Sequence, residues 1–326
     1  MRALITGASG FAGSHLADFL LHQKGVELWG TTRSGLGAAS HLTDQMTLRP
    51  VELTDPAAVR DLLAECRPNR IYHLAAQAFV PASWEDPWPT LENNTRAQLN
   101  LLQAMVELDL DGRILCVGSM EVYGQIQPED LPVDEQTPFR PDSPYGVSKV
   151  AQDMLASQYF RSYGLYTVRV RPFNHIGPRQ DDRFVAPAFA KQIAEIEQGV
   201  RLPVIEVGNL EAQRDFSDVR DVVRAYYLLL EEGDAGEAYN VGRGRPHSVR
   251  ELLDLLLSFT DIDIDVQQDP ARLRPSDVPV SYADISKIHQ ATGWTPQISF
   301  AQSLRSVLED WRKRVERPEN RSHSSY

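Results

Sequence analysis

The residues whose types and spacing could do chemistry lie in one run, SPYGVSKVAQDML, from Ser143 to Leu155. Tyr145 and Lys149 are four residues apart, about one helical turn, so on a helix they share a face. Ser143 can cap that helix and Pro144 suits its first turn, which puts the pair at the helix start. An ammonium beside a phenol favours the phenolate, so Lys149 is expected to lower the Tyr145 pKa from about 10. A tyrosine tuned in this way is a usable acid or base near neutral pH. A lone YxxxK also fits a plain surface helix, because four-residue matches are common. The rest of the chain has to decide.

The first half alternates short apolar runs with helical patterns. Strands are predicted over 3–6, 27–31, 47–51, 70–74, 113–117 and 167–171, and helices over 12–23, 57–66, 90–108 and 145–163. This alternation argues for an α/β fold with a doubly wound parallel sheet, Rossmann-like. From about Phe173 the loops lengthen and arginines cluster. A helix is predicted over 183–199, a strand over 239–242 and a helix over 248–259. The expectation is a smaller, discontinuous C-terminal α/β substrate domain. The helix over 216–230 would return to the first domain. The predicted division is 1–172 plus about 215–240 for the dinucleotide domain and about 173–214 plus 241–317 for the substrate domain. The polar tail 318–326 is expected to be disordered.

TGASGFAG places Gly7, Gly10 and Gly13 between the first strand and the first helix. Glycines there allow a tight turn, close backbone approach to a pyrophosphate and close helix–strand packing, with the helix N-terminus facing the phosphates. The spacing is GxxGxxG, and its position inside a βαβ pattern makes it specific. An acid at the end of the second strand would hold the ribose 2′-hydroxyl of NAD. Here WGTTRSG offers Thr32 and Arg33 instead, so NADP(H) is favoured and NAD(H) remains possible.

The 326 residues are 42% hydrophobic and 24% charged, ordinary for a globular chain. The net charge is −12 with no long basic run, which argues against nucleic acid and anionic membrane as partners. Cys66 and Cys116 stand in unrelated contexts, so no disulfide framework or cysteine metal site is read. No cluster has metal-ligand spacing, and no metal is expected. The start, MRALITG, is a strand running into a glycine turn, without an apolar leader or membrane span, and a cytoplasmic protein is expected.

Together, TGASGFAGSHL, HLAAQ, VGSMEVYG, SPYGVSK, RPFNHIGPRQ and ATGWTP resemble the extended short-chain dehydrogenase/reductase family over nearly the whole chain. The resemblance implies a catalytic set of Ser119, Tyr145 and Lys149. A hydride would pass between nicotinamide and a sugar carbon while Tyr145 handles the proton and Ser119 hydrogen-bonds the oxygen. Lys149 would hold the nicotinamide ribose. Phe11 and Ala12 would join the glycines at the phosphates. Glu52 stands where the family usually has an adenine-contacting aspartate, with Leu53 beside it. Ala75, Ala76, Gln77 and Asn94 would line the nicotinamide side. His73 is read as a packed core residue, and His175 as a structural hydrogen-bonding group or a sugar-site residue. A homodimer through a four-helix bundle is the family expectation.

Family substrates are mostly nucleotide sugars, so a diphosphate must be held, and arginine forks suit it. Arg214 and Arg274 are the favoured ligands, with Ser83, Glu121, Asn174, Arg179 and Asp277 as further substrate contacts. Arg220 is also available, while Arg272 reads as well as a loop residue. GNLEAQRDFSDVRDVVRAY and DPARLRPSDVP are similar to the branch acting on GDP-mannose derivatives. That branch holds a 4,6-dehydratase and a reductase of the 4-keto-6-deoxy product. SGFAGS, FNHIGPR and SPYGVSKVAQDML look like the reductase, which would give GDP-rhamnose. Ser119-Met120-Glu121 keeps dehydration chemically open, with Glu121 as the C5 base. A C4 epimerase and a non-catalytic dinucleotide-sensing regulator are the remaining readings.

Overall fold

The computed structural model describes residues 1–33, 35–272 and 278–316. The elements follow in chain order: β1 (Arg2–Thr6), α1 (Phe11–Leu21), β2 (Glu27–Thr32), β3 (Thr47–Pro50), α2 (Pro56–Cys66), β4 (Arg70–His73), α3 (Val80–Glu85), α4 (Pro87–Glu107) and β5 (Arg113–Val117). Next come α5 (Pro144–Tyr163), β6 (Tyr166–Pro172), β7 (His175–Ile176), α6 (Val185–Glu197), β8 (Val204–Val207), β9 (Gln213–Asp215), β10 (Ser217–Asp218), α7 (Val219–Glu232) and β11 (Ala238–Val241). The last are β12 (Pro246–Ser248), α8 (Val249–Leu257), β13 (Asp265–Gln268), β14 (Val280–Ser281), α9 (Ser286–Thr292) and α10 (Phe300–Glu316).

Seven strands form one parallel sheet in the order β11-β6-β5-β4-β1-β2-β3. Their runs are apolar because both faces are covered. On one face lie α1 and α7, with Leu16, Leu20, Val222 and Tyr226 buried, and α9 adds Ile288. On the other lie α2, α4 and α5, with Leu63, Leu101, Met105 and Ala156 buried. The strand order reverses between β1 and β4, so the loops leaving their C-terminal ends diverge and open a crevice.

A second core gathers Phe189, Ile193, Leu252, Leu256, Leu304 and Leu308 from α6, α8 and α10. Small sheets β12-β9-β14 and β13-β8 flank it. Ile288 and Trp294 belong instead to the core under the large sheet. That differs from the expected grouping of 241–317 as one unit.

Each predicted strand of the first half matches an observed one to within a residue at either end. Two helices start elsewhere for local reasons. The predicted helix at 90 begins at Pro87, because proline suits the first turn. The predicted helix at 216 begins at Val219, because Ser217–Asp218 pair with His175–Ile176 and the Asp218 side chain accepts from the Arg220 N–H at 2.8 Å. Among the described residues no helix is long and apolar enough to cross a membrane.

Candidate active site

α5 begins as its sequence dictates. Ser143 is extended, and its Oγ accepts from the Gly146 N–H at 3.0 Å, with Pro144 in the first turn. The helix ends at Gly164, whose φ of 70° favours glycine. Tyr145 and Lys149 therefore share the face turned to the end of β5. The Lys149 Nζ donates to the Val117 carbonyl at 2.9 Å and lies 5.7 Å from the Tyr145 ring centre. Ser119, two residues past β5, lies beside the Tyr145 side chain, and its Oγ accepts from the Glu121 N–H at 3.2 Å. All three residues are buried, at 9%, 7% and 3% exposure for Ser119, Tyr145 and Lys149.

Burial sets the electrostatics. It pulls Lys149 down to about 7. It pushes Tyr145 above its ordinary value; the neighbouring Ser119 hydroxyl opposes this and the Glu121 charge adds to it. The expected lowering of Tyr145 by Lys149 is therefore corrected. The phenol sits in a dry pocket, and desolvation outweighs a cation whose own charge burial disfavours. The result is a tyrosine that keeps its proton at neutral pH and can donate it.

The glycine loop meets its expected geometry. Gly7 has φ of 74°, and a Cβ there would lie 3.0 Å from the Ala75 backbone. That contact closes the crevice floor between β1 and β4. Gly10 precedes α1, and no side chain caps that helix. The first N–H groups at Phe11, Ala12 and Gly13 are thus available to an anion. Thr32 ends β2, buried, and Arg33 is exposed beyond it. Glu52 accepts from the Thr54 N–H and hydroxyl at 3.0 and 2.8 Å, which hold its carboxyl low, and it also feels the Arg33 charge. Glu52 thus places a carboxylate near Arg33, turned toward Thr54. The Leu53 carbonyl accepts from Asn100. These residues fit a dinucleotide: an uncapped helix end for phosphates, glycines where side chains would collide, and a cation past β2.

Several residues near the site also brace it. Asn94 is fully buried: its Oδ1 accepts from the Gln77 N–H at 2.8 Å, and its Nδ2 donates to the Gln77 carbonyl and to Ser148 Oγ. It ties the Ala75-Ala76-Gln77 loop to α5. Ser83 accepts from the Tyr145 N–H at 3.2 Å and donates to the Val80 carbonyl. His73 is a core residue, its Nδ1 2.8 Å from Thr6 Oγ1, and burial lowers it to about 3. His175 Nδ1 lies 3.1 Å from the Phe173 carbonyl, and its ring stacks on Phe11.

On the substrate side, Asn174 is exposed at the end of β6, and its carbonyl holds the Ser217 N–H. Glu121 is half-buried beside Tyr145. Arg214 donates to the Val278 carbonyl at 2.6 Å. Arg179 has its guanidinium 2.6 Å from Asp18 and 3.1 Å from His41 on the first-domain side, because an acid lies within its reach there. Arg220 is likewise taken by Asp218, and Arg272 by Glu206 and Asp269. Arg274 and Asp277 lie outside the described residues. The sequence reading missed the buried Tyr123, Asp153 and Arg171, whose only signal was Asp153 one turn past Lys149.

A Rossmann-like sheet, a glycine turn at its switch point and a Ser-Tyr-Lys cluster define a dinucleotide-dependent enzyme of the extended short-chain dehydrogenase/reductase class. Within that class, residues 4–307 match the family model described as GDP-mannose 4,6 dehydratase, and the chain belongs to this family. It is 39% identical to the GDP-6-deoxy-D-mannose reductase of Pseudomonas aeruginosa, over 96% of this chain and 98% of that one. It is 31% identical to a GDP-mannose 4,6-dehydratase of Vibrio cholerae, over 95% and 93%. The solved structure of RMD from Pseudomonas aeruginosa complexed with NADPH superposes with a TM-score of 0.86 at 37% identity, covering 96% of this chain and 99% of that one.

Proposed function

We propose that the protein reduces the C4 ketone of GDP-4-keto-6-deoxymannose with NADPH, giving GDP-rhamnose. The observation that carries this is Tyr145, kept protonated by burial beside Ser119. A ketone reduction needs a proton donor, and a dehydratase cycle begins with a proton acceptor. The 39% identity to a reductase of this chemistry supports the same reading.

When bound, the dihydronicotinamide supplies the hydride that C4 receives, and the ketone becomes an alcohol. Tyr145 gives its proton to O4, and Ser119 hydrogen-bonds the same oxygen. Lys149, poised near 7, supplies positive charge as the phenolate forms. Gly7, Gly10, Phe11, Ala12 and Gly13 would hold the pyrophosphate, Thr32 and Arg33 the 2′-phosphate, and Glu52 and Leu53 the adenosine side. Lys149 would also hold the nicotinamide ribose, with Ala75, Ala76 and Gln77 against the ring. Ser83, Glu121, Asn174, Arg179, Arg214, Arg274 and Asp277 are the proposed substrate contacts.

A second reading rests on Glu121, whose charge is felt at Tyr145: a dehydratase with Glu121 as C5 base. Incubation with GDP-mannose alone, followed by mass analysis, separates the two. Loss of one water would establish the dehydratase. No change, then NADPH consumption once the 4-keto sugar is supplied, is the expected result.

We further read the chain as a cytoplasmic homodimer with two domains, divided near 172, 215 and 241, with Ile288 and Trp294 packing back onto the first. The buried, unpaired Cys66 and Cys116 suit a reducing compartment. Val147 and Met154, two turns apart on α5, and Trp88 on α4 are large exposed apolar residues of the kind a helix-to-helix interface covers.

A further inference from the structure

The groups of the proposed chemistry sit on three separate pieces of chain: the turn after β5, the start of α5, and the segment leaving β6 for Asn174. One side chain touches the supports of all three. Arg171, on β6, is 3% exposed. Its Nε and Nη2 donate to the two carboxylate oxygens of Asp153 at 2.8 and 3.2 Å. Its Nη1 donates to the Tyr123 hydroxyl oxygen at 3.0 Å and to the Glu135 carbonyl at 3.0 Å. Its guanidinium carbon lies 4.7 Å from the Phe139 ring centre.

Asp153 is one turn beyond Lys149 on α5. Tyr123 is four residues beyond Ser119, and its hydroxyl donates to Asn240 Oδ1 at 2.7 Å on β11. Asn174 is three residues beyond Arg171 itself. Apolar residues in place of a buried ion pair are often as stable or more so, so stability alone gives weak reason for this cluster. What a planar fork on a carboxylate supplies is direction, since each acceptor is held at a fixed angle. Catalysis is sensitive to such placement: about 1 Å of error can cost about a hundredfold.

We propose that Arg171 is a positioning residue that locks Ser119, Tyr145–Lys149 and Asn174 into one frame, acting through Tyr123 and Asp153. This rests on the reading of Tyr145 as proton donor to a sugar ketone. Tyr123→Phe tests it mildly, because the ring keeps its packing and only the hydroxyl goes. The expected result is a fall in kcat of about tenfold, with the KM for NADPH within about twofold, since the pyrophosphate and adenosine contacts lie on β1, α1 and β2, away from Tyr123. Amide hydrogen exchange should quicken at 119–123 and 145–149 and stay unchanged in β1 and β2. Arg171→Lys keeps the charge without the fork, and should show the same pattern with a larger loss.

Wild-type kcat in Tyr123→Phe, or exchange that quickens uniformly through β1 and β2, would overturn the proposal and leave Arg171 a structural residue. If the wild type fails to reduce the 4-keto sugar, the substrate reading falls. The exchange pattern still decides the positioning role, because it needs no substrate.

Discussion

Replacing Lys149 with methionine should abolish turnover and stabilise the ligand-free protein. Burial lowers the lysine from its ordinary 10.5 to about 7. Between those values the unfolded chain binds more protons than the folded one, so wild-type stability rises with pH through that window. At 1.36 kcal/mol per pKa unit, the buried lysine costs about 4 kcal/mol at pH 7 and about 2 kcal/mol at pH 9. Methionine has no charge to desolvate but gives up the hydrogen bond to the Val117 carbonyl, about 1 kcal/mol. The variant should therefore be more stable by about 3 kcal/mol at pH 7 and about 1 kcal/mol at pH 9. For a chain of this length that is a Tm higher by about 4 °C at pH 7, shrinking as pH rises. Urea unfolding of wild type and variant from pH 6.5 to 9 measures it. A variant less stable than wild type throughout, or a gap that does not change with pH, would refute the burial argument. Turnover should fall by at least about a hundredfold.

Two further expectations follow from the cradle and the helix start. Arg33→Ala should raise the KM for NADPH by about tenfold, the loss of one exposed charge-assisted contact, and leave that for NADH nearly unchanged; equal effects on both would remove Arg33 from the 2′-phosphate. Ser143→Ala takes the cap from α5 and should cost about 1 kcal/mol in urea unfolding, with kcat falling as the first turn of the helix frays, and an unchanged kcat would uncouple the cap from Tyr145.

Much of this was legible because the signals are local. Ser143-Pro144 announces a helix start, TGASGFAG a strand-to-helix turn, and the alternating apolar runs a parallel sheet. What stayed hidden is non-local. The sequence of Arg179 cannot show that Asp18 and His41, about 140 to 160 residues earlier in the chain, come within its reach. The pKa of Tyr145 depends on how much protein surrounds it, and a four-residue spacing carries no burial. Asn94 and Ser83 were read as ligands because they fall near the site; that their polar atoms also hold the backbone of Gln77 and Tyr145 depends on packing the sequence does not show.

The last strand of the large sheet has a consequence for how the chain can be made and cut. β11 pairs with β6 only after α6, β8 and β9 have been passed, and α7 covers one face of the sheet from the same late segment. A ribosome that has released the first 172 residues has exposed β6 as a bare edge with part of an apolar face uncovered, an invitation to aggregate. Synthesis must reach residue 241 before that edge closes. A fragment stopped at 172 should therefore be insoluble, and a gene split there would not yield two working halves.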